Sequence, residues 1–225
     1  MKNALLCLMA LGASVGIGAA QAPLSPPVQA WLAVQTNLQT WSADFTQTRT
    51  LQSLTEPLTA TGHVWFAAPQ RFRWELGRPP ETIAVCSGTD LMLIYPRLKR
   101  VERIPLGGNQ SGPWGEALTM LEAGFPRSEA ALRSRYDVQS QTVTNQLCKL
   151  VLVPKSAAAR RIMPRMEIDF DTKDYLLRGT EIQFADGSTL RNDFEHIVLN
   201  PKLDEALFSP QIPAEYKVVE PTVTR

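Results

Sequence analysis

Histidines, cysteines and spaced carboxylates are the side chains most able to do chemistry, and here they are few and scattered. The chain has two histidines. His63 lies between Gly62 and Val64, and His196 lies in Phe194-Glu195-His196-Ile197; neither has partners at metal-ligand spacing. Glu167, Asp169 and Asp171 alternate, which puts them on one face of a strand. Such a row is ordinarily a solvated face, with a weak cation site as the alternative. Gly108-Asn109-Gln110-Ser111-Gly112 superficially suggests a nucleophile elbow, but the serine is misplaced and no strand-to-helix context follows. There is no phosphate-binding loop and no CxxC. The expectation is no catalytic constellation, no metal site and no cofactor.

The informative chemistry is instead apolar. Phe72, Trp74 and Leu76 alternate with Arg71, Arg73 and Glu75, so one face of a strand is greasy and the other charged. Runs on either side add Phe45, Val64, Phe66, Ile83, Val85, Leu91 and Leu93 as inward candidates. So much inward bulk needs either a large packed core or a large apolar guest. Inward bulk alone does not distinguish the two.

The elements that must position these residues are mostly strands. Ala43 to Thr50 reads as one. Gly62 to Phe66, Pro69 to Leu76, Ile83 to Gly88 and Leu91 to Pro96 read as four more, separated by Pro, Gly, Asp and Ser. Arg97 to Ile104 continues the last hairpin. Tyr136 to Gln141, Gln146 to Val153, Arg165 to Asp171, Tyr175 to Phe184 and Ser188 to Val198 form a second run, with Asp186-Gly187 the strongest hairpin signal. Ser25-Pro26-Pro27 opens a helix whose apolar stripe is Val28, Trp31, Leu32, Gln35 and Leu38. Trp114, Leu118, Leu121 and Phe125 recur at helical spacing after the Gly-rich loop Gly107 to Pro113, and Ser128 caps a short helix. The sum is an α+β, β-rich fold of about ten antiparallel strands. The simplest arrangement is one strongly curved sheet, open on one side, with helices against its concave face.

Length and termini bound the rest. A chain of 225 residues fits one domain after a leader is removed. Lys2, the apolar run Ala4 to Ile17 and the small residues of Gly18 to Ala22 read as a secretory signal peptide over residues 1–20. A cut after Ala22 is the alternative, but Pro23 would then follow it. Cys7 makes no lipobox, because Leu6 stands where a small residue belongs. Residues 21–225 are then a single exported domain. Two cysteines survive, Cys86 and Cys148. They permit one disulfide if their Cα atoms come within ~7 Å; two small buried residues are the other reading. The basic clusters Arg97, Lys99, Arg100, Arg103 and Arg160, Arg161, Arg165 are charged rims or docking patches for an anionic partner. Net charge of +1 gives no argument for nucleic acid.

The ordered motifs resemble those of the periplasmic outer-membrane lipoprotein carriers, the LolA family. They are Phe45-Thr46-Gln47, Gly62 to Trp65, Pro69 to Trp74, Ile83 to Gly88, Leu91 to Pro96 and the ending Leu203 to Phe208 with Pro210 and Pro213. The resemblance covers nearly the whole mature chain. It implies an incomplete β-barrel with a helical lid over an apolar cavity, and a periplasmic, monomeric carrier or chaperone. The cargo would be acylated lipoproteins or other lipids, taken from an inner-membrane lipoprotein-releasing transporter to an outer-membrane acceptor. Phe45, Val64, Phe66, Phe72, Trp74, Leu76, Ile83, Val85, Leu91 and Leu93 would line the cavity, and Trp114, Leu118, Leu121 and Phe125 would form the lid. One departure is Ala68. In the well-known carriers an arginine precedes the Pro-x-x-Phe-x-Trp strand and tethers the lid. Two other readings share the fold. One is a binding protein for another apolar ligand, such as a glycolipid. The other is an envelope-stress sensor domain, whose known examples carry a further C-terminal domain for which this chain leaves no room.

Overall fold

A computed structural model describes residues 23–88, 90–106, 126 and 128–220. The expected leader, the loop at 107–113 and the expected lid residues Trp114, Leu118, Leu121 and Phe125 lie outside the described residues. Helix α1 (Pro26–Thr36) comes first. Six strands follow: β1 (Thr40–Thr50), β2 (Leu58–Ala67), β3 (Arg71–Leu76), β4 (Thr82–Ser87), β5 (Asp90–Tyr95) and β6 (Arg100–Pro105). Helix α2 (Glu129–Arg135) leads into β7 (Tyr136–Thr144) and β8 (Leu147–Pro154). Helix α3 (Ala157–Ile162) precedes β9 (Arg165–Asp171), β10 (Leu177–Gln183) and β11 (Thr189–Leu199). A 3-10 turn at Glu205–Phe208 and the short strand β12 (Lys217–Val219) end the described chain.

All twelve strands join one sheet in the order β12-β6-β5-β4-β3-β2-β1-β11-β10-β9-β8-β7. Two antiparallel meanders, β1–β6 and β7–β11, meet where β1 pairs with β11. Only β12 runs parallel to its neighbour, β6. The sheet has two ends, at β12 and β7, so it is open. Among the described residues, no helix is long and apolar enough to cross a membrane.

Local chemistry explains the elements. Trp41, Ala43 and Phe45 of β1 are buried on one face, and Asp44 and Thr46 point to the other. Ser128 and Ser156 cap α2 and α3 by accepting from Ala131 N and Ala159 N, at 3.1 and 3.2 Å. Ser25 stands at the N-cap of α1 but its hydroxyl makes no capping bond. Pro26 and Pro27 have already removed the first two N–H donors of that helix, leaving little to cap. The Ser25 backbone N–H instead donates to Gln141 Oε1 of β7 at 2.7 Å, tying the start of α1 to the sheet edge.

Among the described residues the strand that the sequence did not suggest is β12, which adds to β6; β2 also runs longer than expected, from Leu58. Helix α3 occupies a stretch for which the sequence reading gave no element; the Ser156 cap and Ala157 to Ala159 supply its signal. Cys86 and Cys148 are buried and are not bonded to each other. They lie on β4 and β8, with six strands between them in the sheet.

Candidate functional site

The main apolar cluster occupies one face of the sheet across both meanders. Register fixes its members. Phe45 stands opposite Gly62, Val64 opposite Trp74, Phe66 opposite Phe72, and Gly62 opposite Leu76. Phe72 pairs with Cys86 and Trp74 with Ala84; Cys86 pairs with Leu91 and Ala84 with Leu93. Because side chains alternate with a period of two, all of these share the inner face. Phe45, Val64, Phe66, Phe72, Trp74, Leu76, Leu91 and Leu93 therefore come together as one surface.

Ile83 and Val85 do not join them. They pair with Ile94 and Met92 and pack with Val101 on the outer face, under Ile212 and Tyr216 of the C-terminal segment. The expectation that they line the inner face is corrected by this register. Strands β4 and β5 are apolar on both faces, so composition gave no direction there, whereas pairing to β3 does. The inner residues that pattern reading missed are Trp41, Ala84, Cys86, Ile104, Leu106 and Phe194. Phe194 was available as the apolar residue between Asp193 and Glu195.

Burial divides the inner face. In the β8–β9 region Leu150, Leu152, Ile168 and Phe170 are all 0 % exposed. Helix α1 fills that side: Val28 and Trp31 are also 0 % exposed, and the Trp31 indole stacks flat on Phe170 at 4.9 Å. On β3 to β6 the face continues through Trp74, Leu76, Ala84, Tyr95, Ile104 and Leu106, which pack on the cluster but stay half-exposed. Between the regions stand aromatic rings. Phe45 lies 4.1 Å from Trp74; Trp74 meets Phe194 edge-on at 6.3 Å; Phe194 meets Trp41 edge-on at 5.2 Å. Gly62 makes this possible: a Cβ there would sit 2.3 Å from Phe45 Cζ and 2.1 Å from the Glu75 carbonyl oxygen.

Over β1 to β3 and β11 the outer face carries a braced polar network. Asp44 gathers both histidines: Oδ1 is 2.8 Å from His63 Nδ1 and Oδ2 is 3.0 Å from His196 Nδ1, while Arg78 donates to Oδ1 at 2.6 Å. The hydrogen bond with His63 holds the Asp44 carboxyl below its ordinary range; burial opposes this, and His196 and Arg78 add to it. His196 reaches Asp44 because β11 bulges opposite Ala43, where the register jumps between Ser42 and Asp44 and His196 takes φ +50. Arg71 pairs with Glu205 and lies over the Phe208 ring, and Arg73 donates to the Leu207 carbonyl at 3.3 Å. The arginines of the Pro-x-x-Phe-x-Trp strand thus hold the C-terminal motif to the outside of the sheet.

The carboxylate row of β9 is a salt-bridged seam. Arg191 donates to Asp169 Oδ2 at 3.0 Å and to Asp193 Oδ1 at 2.8 Å. Lys149 and Arg165 hold Glu167, each at 2.5 Å. Burial pushes the Glu167 carboxyl up, but those cations outweigh it and the net direction is down. Among the described residues no group of His, Cys, Asp and Glu is arranged to hold a metal ion. Burial pushes the Cys148 thiol up to about 11, which leaves it inert rather than nucleophilic.

What the fold and the site define is a protein built around one open, mostly antiparallel sheet with an apolar inner face. The family described as outer membrane lipoprotein carrier protein LolA matches residues 36–211, and the chain belongs to that family. An outer-membrane lipoprotein carrier protein of Chromohalobacter salexigens is 24 % identical over 94 % of this chain and 95 % of its own length. One of Methylococcus capsulatus is 27 % identical over 81 % of this chain and 82 % of its own. An uncharacterized conserved protein of Thermus thermophilus shares the fold, with a TM-score of 0.52 at 12 % identity, over 86 % of this chain and 99 % of its own.

Proposed function

We propose that this protein is a periplasmic carrier that shields the acyl chains of lipoproteins on the inner face of its sheet and delivers them toward the outer membrane. The observation that carries the reading is the strip Trp74, Leu76, Ala84, Ile104 and Leu106. It is apolar and continuous with the core, yet half-exposed. Such a strip is unfavourable in water unless something apolar covers it. Each buried methylene of an acyl chain gains about 0.8 kcal/mol, so one long chain left in water costs on the order of 10 kcal/mol. A carrier must cover that surface and still let it go. Few polar groups should face it, because an acyl chain would leave them unpaired at a penalty. The segment that carries Trp114, Leu118, Leu121 and Phe125 is the lid in this reading. Residues 1–20 direct export and are then removed. The monomer then takes cargo from an inner-membrane releasing transporter and gives it to an outer-membrane acceptor. Shielding and handover need no bond to be made or broken, so the role is that of a carrier and not of an enzyme.

The test is native mass spectrometry of the mature protein purified from the periplasm, followed by lipid extraction, together with binding of a fluorescent fatty-acyl probe. Acylated polypeptide or acyl lipid should co-purify, and Leu76→Glu should abolish probe uptake while the circular dichroism of the sheet is unchanged. Undiminished probe affinity in Leu76→Glu would identify this face as solid core.

A further inference from the structure

We propose that the ring of Phe45 is the stop against which an acyl chain ends, so that this carrier selects chains by length. The inference rests on the carrier reading and assigns the floor of its site. Phe45 is 2 % exposed and stands at the boundary between two regions in different states. On the β8–β9 side the space is occupied, with Trp31 and Phe170 stacked and 0 % exposed. On the β3 side Trp74 and Leu76 remain half-exposed. A straight chain laid along the half-exposed strip toward β1 meets Trp74 and then Phe45.

The stop is fixed rather than adaptable. The Phe45 ring reaches over β2 at Gly62, where any Cβ would collide with it, and Trp74 closes on it at 4.1 Å. Phe194, the cross-strand neighbour of Phe45, meets Trp74 and Trp41 edge-on, so the boundary behind the ring is built of packed aromatics. Methylenes that fit before the ring are desolvated. Those beyond it must fold back or stay in water. Affinity should therefore rise with chain length and then level off.

The experiment uses the mature protein and straight-chain fatty acids of increasing length, each competing against a fluorescent fatty-acyl probe. Wild-type affinity should climb about fourfold per methylene and then break to a plateau. Phe45→Ala should move the break longer by roughly two to four methylenes, the space left by the lost ring. Phe45→Leu, which keeps most of the packing, should move it less and in the same direction. Val28→Ala, on the filled side, should lower the melting temperature and leave the break in place. Binding with no break, a break unmoved in a folded Phe45 variant, or an equal shift in Val28→Ala would each overturn the stop while leaving the carrier intact. Absence of acyl binding by the wild type would overturn both.

Discussion

Two stretches of the same inner face carry much the same residues and end in different states. Over β8 and β9, Leu150, Leu152, Ile168 and Phe170 lose all contact with solvent because α1 lies on them. Over β3 to β6, Phe72, Leu91 and Leu93 are buried as well, but Trp74, Leu76, Ala84 and Ile104, equally apolar, are only partly buried. The difference is not in hydrophobicity. Among the described residues it lies in α1, whose apolar stripe packs on the first stretch. An apolar strand face is a core where it is covered and a binding surface where its cover can leave.

That comparison can be broken by paired truncations. Trp31→Ala should cost ~3–5 kcal/mol, as expected for an aromatic deleted from a filled core. Trp74→Ala should cost about 1–2 kcal/mol, since part of its surface is already wet, yet should lower acyl-probe affinity at least about tenfold. Denaturant unfolding and probe titration on both variants make the check. Equal stability losses would mean that the two regions are one continuous core.

A smaller effect sharpens the role of cover. Ala68 packs half-buried at the edge of the main cluster, and its backbone N–H donates to the Gln39 carbonyl at 2.8 Å. An arginine introduced there would offer donors to whatever closes over the face. Ala68→Arg should slow release of bound probe by about fivefold, the worth of roughly one hydrogen bond. An unchanged off-rate would show that closure is not governed from this position.

The smallest effect concerns the outer face, which lies outside the inner-face division. The folded Asp44 carboxyl titrates below its ordinary value of 3.8, chiefly through His63. A depressed carboxyl contributes stability that is complete above its unfolded value and is lost as pH falls through the folded one. Asp44→Asn should therefore cost ~0.5–1 kcal/mol near neutrality and nothing once pH is well below 3.8. Melting temperature against pH for both forms should converge on the acid side.

Much of this was legible in the sequence, and the misses have physical causes. Alternation assigned Phe45, Phe72, Trp74 and Leu76 to one face because the opposite face of β1 and β3 is polar, and Val64 and Phe66 followed on β2, whose outer face begins with Thr59, Thr61 and His63 before Trp65. It failed for Ile83 and Val85 because β4 is apolar on both faces, its outer side being covered by Ile212 and Tyr216 from far along the chain. The convergence of His63 and His196 on Asp44 was invisible for a related reason. It depends on the β1–β11 register and on a bulge, and a lone histidine advertises neither. The β8–β9 region was read as strands, but that α1 would seal it could be inferred only as the simplest arrangement. That Trp31 lands on Phe170 is a tertiary fact.

The C-terminal segment has a consequence for how the chain is made. A chain is made from its amino end, and the two meanders can each form from near neighbours in sequence as they appear. Two joints cannot. Strand β1 waits for β11, and the outer side of β4 to β6 waits for the residues that end at β12. Until those last residues are delivered, Val85, Met92, Ile94 and Val101 face water from the back of the sheet, beside the unpaired edge of β6. A ribosome stalled shortly before Leu207, or a nonsense codon there, would thus release a chain with nearly all its strands and a sticky outer surface. Cellular quality control would meet that species as a client for degradation, although every residue of the inner face had already been synthesised.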